Sequence, residues 1–174
     1  VGNAKTFVMM DQFFGAQAVA ADRRVVVKEG DTLSLGSHTL QFVLAPMVHW
    51  PEVMLSYETS EKVLFSADAF GRFGAVANYD ANAEWASEAR RYFLNIVGKY
   101  GVQVQAVLKK AAALEISTIC PLHGPVLTGD LTPYLHYYDL WSSYRAEEPE
   151  KILVASASIH GNTRAAAHTL AEKL

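Results

Sequence analysis

The chain has 174 residues, 51% of them apolar and 19% charged, and carries a formal net charge of −3. That length suits one domain, or one and a fraction, with enough apolar residues to fold without disulfides or structural metals. Such a composition excludes disorder and collagen-like repeats, the charge leaves no basic face for nucleic acid or an anionic membrane, and the single Cys120 excludes a disulfide scaffold or a cysteine zinc finger.

No apolar run approaches the ~18 residues of a membrane span, and no charged-then-apolar signal opens the chain. A reducing, cytoplasmic setting is expected. The chain begins at Val1 rather than Met and stops at Leu174 inside a helical pattern, so a piece of a longer protein is expected.

Residues 1–65 read as short strands with turns between them. Arg24 to Lys28 is a β-branched run, followed by the turn Glu29-Gly30-Asp31. Thr32 to Leu35 and Thr39 to Leu44 flank Gly36-Ser37-His38, a hairpin signal. Met54 to Thr59 and Lys62 to Phe65 form a second hairpin around Ser60-Glu61. From Ala83 the period changes: Trp85, Ala89, Tyr92, Phe93, Ile96, Val97 and Tyr100 share one helical stripe, which Gly101 is expected to break. A second stripe, Val104, Val107, Leu108, Ala111 and Leu114, precedes the short strand Ile116 to Ile119. Thr132-Pro133 reads as an N-cap and a first-turn proline, opening a helix with Leu135, Tyr138 and Trp141 on its apolar side.

A composition break follows. Residues 146–150, Ala-Glu-Glu-Pro-Glu, read as a linker between a first domain over 1–145 and a second region over 151–174. In that region Lys151 to Ala155 is an apolar run of parallel-strand type, Ser156 to Thr163 a small-residue loop, and Arg164 to Leu174 a helix.

Three residues occupy equivalent places. His49 follows the strand ending at Leu44, Asp68 follows Val63-Leu64-Phe65, and His123 follows Ile116 to Ile119. Each lies where an apolar strand gives way to a loop bearing Pro or Gly, a common place to build a site. Two imidazoles and a carboxylate suit Fe, Zn or Mn, and a carboxylate can bridge two ions through its two oxygens. The plainer alternative is a hydrogen-bonding loop histidine and an aspartate that caps a turn. His38, His136 and His168 are assigned to structure or solvent. Cys120 is assigned to burial rather than reactivity, since nothing local would lower its pKa. The loop Ser158-Ile159-His160-Gly161-Asn162-Thr163 places hydroxyls and a glycine before a helix N-terminus, where amides and the helix dipole favour a phosphate. It is neither a P-loop nor a Gly-x-Gly-x-x-Gly dinucleotide loop.

Taken in order, these segments resemble the flavodiiron proteins, also called A-type flavoproteins. Ala45-Pro46-Met47-Val48-His49-Trp50-Pro51-Glu52 is similar to that family's ligand-histidine segment, and Leu64-Phe65-Ser66-Ala67-Asp68-Ala69-Phe70-Gly71 to its bridging-aspartate segment. Ile119-Cys120-Pro121-Leu122-His123-Gly124-Pro125 is similar to its last histidine segment, and Ser158 to Thr163 to its FMN-phosphate loop. The resemblance implies an α/β fold: a metallo-β-lactamase-like αββα domain, then the first strand and helix of a flavodoxin-like domain. It implies an oxidoreductase that reduces dioxygen or nitric oxide at a non-haem di-iron site fed by FMN. His49 and His123 would be terminal ligands, one to each iron, with Asp68 as the bridge. Rubredoxin or another donor would supply electrons to a head-to-tail homodimer. In that family a His-x-Glu-x-Asp-His segment supplies the first ligands and would precede the region that begins at Val1; these residues contain none. The isolated chain is therefore expected to hold substoichiometric iron and little FMN. The alternatives are a zinc hydrolase of the wider metallo-β-lactamase superfamily, which has no use for a flavin-phosphate loop, and an inactive dimerisation module.

Overall fold

The computed structural model describes residues 1–16, 18–75 and 85–174, so Ala83 and Glu84, where the first helical stripe was expected to begin, lie outside the described residues. The chain divides into two units, Val1–Tyr144 and Arg145–Leu174.

The first unit is built on a six-stranded sheet whose spatial order follows the sequence: β1 (Thr32–Ser34), β2 (Thr39–Leu44), β3 (Met54–Glu58), β4 (Val63–Phe65), β5 (Thr118–Cys120) and β6 (Leu127–Thr128). Both expected hairpins form, β1 with β2 and β3 with β4. The β4–β5 pair is parallel and every other pair antiparallel. A parallel pair needs a long crossover, and the segment between Phe65 and Thr118 supplies it with α2 (Trp85–Tyr92) and α3 (Gly101–Ala111).

Strand alternation decides where the core sits. The register aligns Tyr57, Leu64, Ile119 and Leu127 in one row across β3 to β6, and all four are buried. This face, joined by Val43 and Leu55, packs in one cluster with Trp85, Phe93, Val97, Val104 and Val107 and with Tyr138 and Trp141 of α4 (Thr132–Ser142). The other row runs Ser56, Phe65, Cys120, and Phe65 is half exposed. Period-2 patterning thus yields one helix-covered face.

Several expectations need correction. Residues near the N-terminus are not strands: Ala4–Phe14 is a helix, α1, whose first turn is capped by Asn3 Oδ1 accepting the Thr6 amide at 3.0 Å. Asn3 and the stop at Gly15, with φ of 86°, were the sequence signals for it. Arg24 to Lys28 forms no ladder; Val26 makes one isolated parallel bridge to Gly2. Gly101 does not break the helical run. It is the first residue of α3, and the interruption lies before it, in a π turn over Phe93–Val97 and a 3-10 turn over Gly98–Tyr100. A Cβ at Gly101 would lie 2.3 Å from the Ser142 carbonyl oxygen, so this glycine serves close packing of α3 on the end of α4. Helix α4 starts at Thr132 itself, with Leu131 as the cap residue and Asp130 Oδ1 accepting the Thr132 amide at 3.0 Å.

In the second unit, α5 (Asn162–Ala171) forms, but Lys151 to Ala155 is not a strand. Ile152 and Leu153 are exposed. A parallel strand needs a neighbour to take its hydrogen bonds and cover for both faces, and this unit contains no second strand. No helix among the described residues is long and apolar enough to cross a membrane.

Candidate metal centre

Strand directions bring the three candidates together. Since β2 and β4 are both antiparallel to β3, and β5 is parallel to β4, strands β2, β4 and β5 all point the same way. Their C-terminal residues Leu44, Phe65 and Cys120 therefore end on one edge of the sheet, and the loops carrying His49, Asp68 and His123 leave from that edge. Residues up to 74 positions apart in sequence meet because the sheet register puts their strands side by side.

The geometry centres on Asp68. His49 Nε2 lies 3.2 Å from Asp68 Oδ2, and His123 Nε2 lies 3.3 Å from Asp68 Oδ1. Each imidazole faces its own carboxylate oxygen. The Asp68 and His49 side chains are largely covered, while that of His123 is more than half exposed, so the site opens to solvent on the His123 side. Because the two imidazoles take different oxygens, the three donors do not converge on one point. Among the described residues no group of three or more His, Cys, Asp or Glu side chains is arranged to hold one metal ion.

Backbone ties hold the loops. The His49 loop is pinned at Val48, which is buried, and by Ala45 N–H to Val53 O at 2.9 Å and Met47 N–H to Trp50 O at 2.8 Å. The Asp68 and His123 loops are laced to each other: Ser66 N–H donates to Cys120 O at 3.1 Å, Leu122 N–H to Ala67 O at 2.8 Å, and Arg72 N–H to His123 O at 3.2 Å. Gly71 and Gly124 permit this approach. A Cβ at Gly71 would stand 3.0 Å from Asp68 O, and one at Gly124 would stand 2.6 Å from Cγ of the buried Arg72. An open cavity of about 450 Å³ reaches Asp68 past Trp50, Glu52 and Leu122.

Two tyrosines flank the loops that carry this carboxylate and His123. The Tyr92 ring packs 5.7 Å from that of His123, and burial, then the Asp68 charge, push its phenol up to about 12. Tyr138 is wholly buried, its phenol is pushed far up by burial, and its oxygen accepts the Phe70 amide at 2.5 Å. In the sequence both read only as apolar helix positions. Their placement depends on contacts 24 to 70 residues distant, which no local pattern carries.

The remaining candidates divide. His38 lies in the first hairpin turn with Nδ1 3.3 Å from Glu58 Oε1, a structural pairing. His136 is on α4 and His168 on α5. The Cys120 thiol is pushed up by burial, away from thiolate chemistry. In the second unit, the loop from Ser158 leads into α5: Gly161 is left-handed with φ of 86° and its amide donates to Ser158 Oγ at 2.9 Å. Asn162 and Thr163 are the first residues of α5, two positions earlier than expected, and no side chain caps that helix. Its first-turn amides point out of the helix without intrahelical acceptors. Ile159 is exposed.

Comparison with known proteins agrees with this architecture. Residues 4–124 match the family described as ODP family beta lactamase. The anaerobic nitric oxide reductase flavorubredoxin of Aliivibrio fischeri is 33% identical over 153 residues, 84% of this chain and 30% of its own length. Among solved structures, the flavodiiron protein of Giardia intestinalis superposes with a TM-score of 0.75 at 28% identity, covering 82% of this chain and 36% of its own. Rubredoxin oxygen:oxidoreductase of Desulfovibrio gigas gives 0.72 at 29% identity, covering 82% of this chain and 37% of its own. The chain spans between 21% and 38% of the length of the curated relatives it matches. It belongs to the ODP beta-lactamase family, as a chain of flavodiiron type.

Proposed function

We propose that this chain carries part of the metal centre of a cytoplasmic flavodiiron reductase of dioxygen or nitric oxide, with His49 and His123 each ligating one iron and Asp68 bridging the two. The observation that carries the reading is the division of labour at Asp68, whose Oδ2 and Oδ1 face different imidazoles at 3.2 and 3.3 Å. The donors fit the group. Imidazole and carboxylate suit iron, and a carboxylate that addresses two separate imidazoles suits a pair of ions better than one.

The names of the relatives support the substrate class, since one is a nitric oxide reductase and another a rubredoxin oxygen:oxidoreductase. Iron, when bound, would supply the place where substrate takes up electrons, and FMN would supply those electrons. The chain's own residues have plainer tasks. His49 and His123 present imidazole nitrogens, Asp68 balances positive charge, and the buried ring of Tyr92 walls the site behind His123. Ser158 to Thr163 would take the FMN phosphate on the amides and hydroxyls at the start of α5, in keeping with a domain boundary at 146–150 that separates a metal domain over 1–145 from a flavin region over 151–174. A rubredoxin-type donor and a head-to-tail homodimer complete the reading.

Metal analysis tests it. After anaerobic loading with Fe(II), and in parallel with Co(II), bound metal is measured for the wild type and for His49→Ala, Asp68→Ala and His123→Ala. Each variant is expected to weaken metal binding at least about tenfold, as losing even a supporting group commonly does. Uptake by Asp68→Ala equal to the wild type would refute the assignment.

A further inference from the structure

The turn that presents Asp68 is held by a residue outside its own loop. Ala67 and Phe70, on either side of Asp68, have φ of 50° and 64°, the left-handed region that a Cβ disfavours. Part of the restraint is local: Ser66 Oγ–H donates to Ala69 O at 2.7 Å and Gly71 N–H to Asp68 O at 3.2 Å. The Phe70 amide is served from elsewhere. Its acceptor is the phenol oxygen of Tyr138 on α4, 68 positions along the chain.

Tyr138 is itself tightly fixed. It is 1% exposed, its ring stacks on Phe70 with centroids 4.2 Å apart, and Phe93 packs edge-on at 5.2 Å. A buried amide that loses its acceptor bears the full desolvation cost, because water cannot replace the partner. Without the phenol oxygen, therefore, the left-handed Phe70 keeps its ring packing but loses the one acceptor that holds its amide in place. Asp68 is two residues away, in the same turn.

We propose that Tyr138 is a positioning residue for this centre: its phenol oxygen pins the Phe70 amide and so fixes the turn that offers the two Asp68 oxygens to His49 and His123. It acts through the backbone of the turn, not on the carboxylate. The purpose of this arrangement rests on the metal reading above, whereas its geometry stands without it.

The test compares the wild type with Tyr138→Phe, which keeps the ring and removes one oxygen, and with Tyr137→Phe as a control on the same helix. In metal-free protein, NMR reads hydrogen exchange at the Phe70 amide and the imidazole nitrogen signals of His49 and His123. Tyr138→Phe is expected to speed Phe70 exchange about tenfold, the worth of one hydrogen bond, and to shift both imidazole signals. Co(II) affinity, followed by visible absorption, is expected to fall about tenfold, as for loss of an outer-shell partner. Tyr137→Phe should move none of these. Wild-type exchange at Phe70 together with unmoved imidazole signals in Tyr138→Phe overturns the proposal. A wild type that takes up no Co(II) overturns the metal reading instead, and leaves the metal-free measurements to judge Tyr138. If Tyr138→Phe does not fold, fluorotyrosine at position 138, a weaker acceptor on the same ring, gives the same readouts with the same expected direction and the same overturning result.

Discussion

Replacing Gly101 with Ala separates two accounts of why a glycine stands there, because they differ in sign. If Gly101 served only to loosen the chain between two helices, alanine would be neutral or would stabilise by up to ~1 kcal/mol, since Gly101 has helical dihedrals and alanine is the better helix former. The packing argues the opposite. A Cβ at this position would stand 2.3 Å from the Ser142 carbonyl oxygen and 2.8 Å from both Cζ and Oη of Tyr144. Two of those atoms belong to a phenol whose oxygen accepts the Gly101 amide at 3.3 Å and donates to Gly98 O at 3.1 Å, so the side chain cannot swing aside without breaking both bonds. Helices α3 and α4 would have to separate, and overpacking of this kind costs ~1–3 kcal/mol. Set against the full propensity gain, the net loss reaches about 2 kcal/mol, or up to roughly 8 °C in Tm for a chain of this size. Urea unfolding followed by the fluorescence of the core residues Trp85 and Trp141 measures it. Gly98→Ala is the control, since its Cβ would meet only Phe93 O at 3.4 Å, an ordinary contact, and it should be neutral or slightly stabilising. A Gly101→Ala protein as stable as the wild type, or more so, would refute the close-packing account.

Two further predictions concern ionisation. The Glu58 carboxyl is held down at about 2 by the Glu61 amide, with smaller help from Ser60 and His38 and against the opposing effect of burial. A depressed folded-state pKa means stability that is present above the ordinary value of 4.5 and is lost as pH falls toward about 2. Glu58→Gln should therefore flatten the acid limb of stability against pH in that window; an unchanged slope in chemical denaturation would sink the idea. The second concerns Tyr92, whose phenol is raised to about 12 by burial first and by the Asp68 charge second. Asp68→Asn removes the second cause, so ultraviolet titration should find Tyr92 ionising at lower pH than in the wild type, though still above the ordinary 10.0. An identical midpoint would mean that the Asp68 carboxylate does not face Tyr92.

Local signals carried much of the architecture. Both hairpins, the α3 stripe and the placing of His49, Asp68 and His123 at strand ends follow from period-2 and period-3.6 patterning and from turn residues, because such patterns depend on neighbours a few positions away. Where the reading failed, the deciding partner was distant or absent. The run Lys151 to Ala155 has strand composition, yet its unit offers no second strand to pair with. Gly101 looked like a helix breaker from its neighbours, while its reason is Ser142, 41 positions on. Helix α1 was a different kind of miss, since its cap at Asn3 and its stop at Gly15 were both local.

By itself, then, the sequence determined which residue types stand at the ends of β2, β4 and β5, and hence that imidazole and carboxylate chemistry is on offer. Tertiary structure alone decided that these ends share one edge, that each imidazole faces a different oxygen of Asp68, and that Tyr138 grips the turn between them. The physical reason is range. Propensity and periodicity act over one or two turns of chain, whereas a site is fixed by strand direction, register and hydrogen bonds between residues tens of positions apart, and these exist only once the sheet has formed.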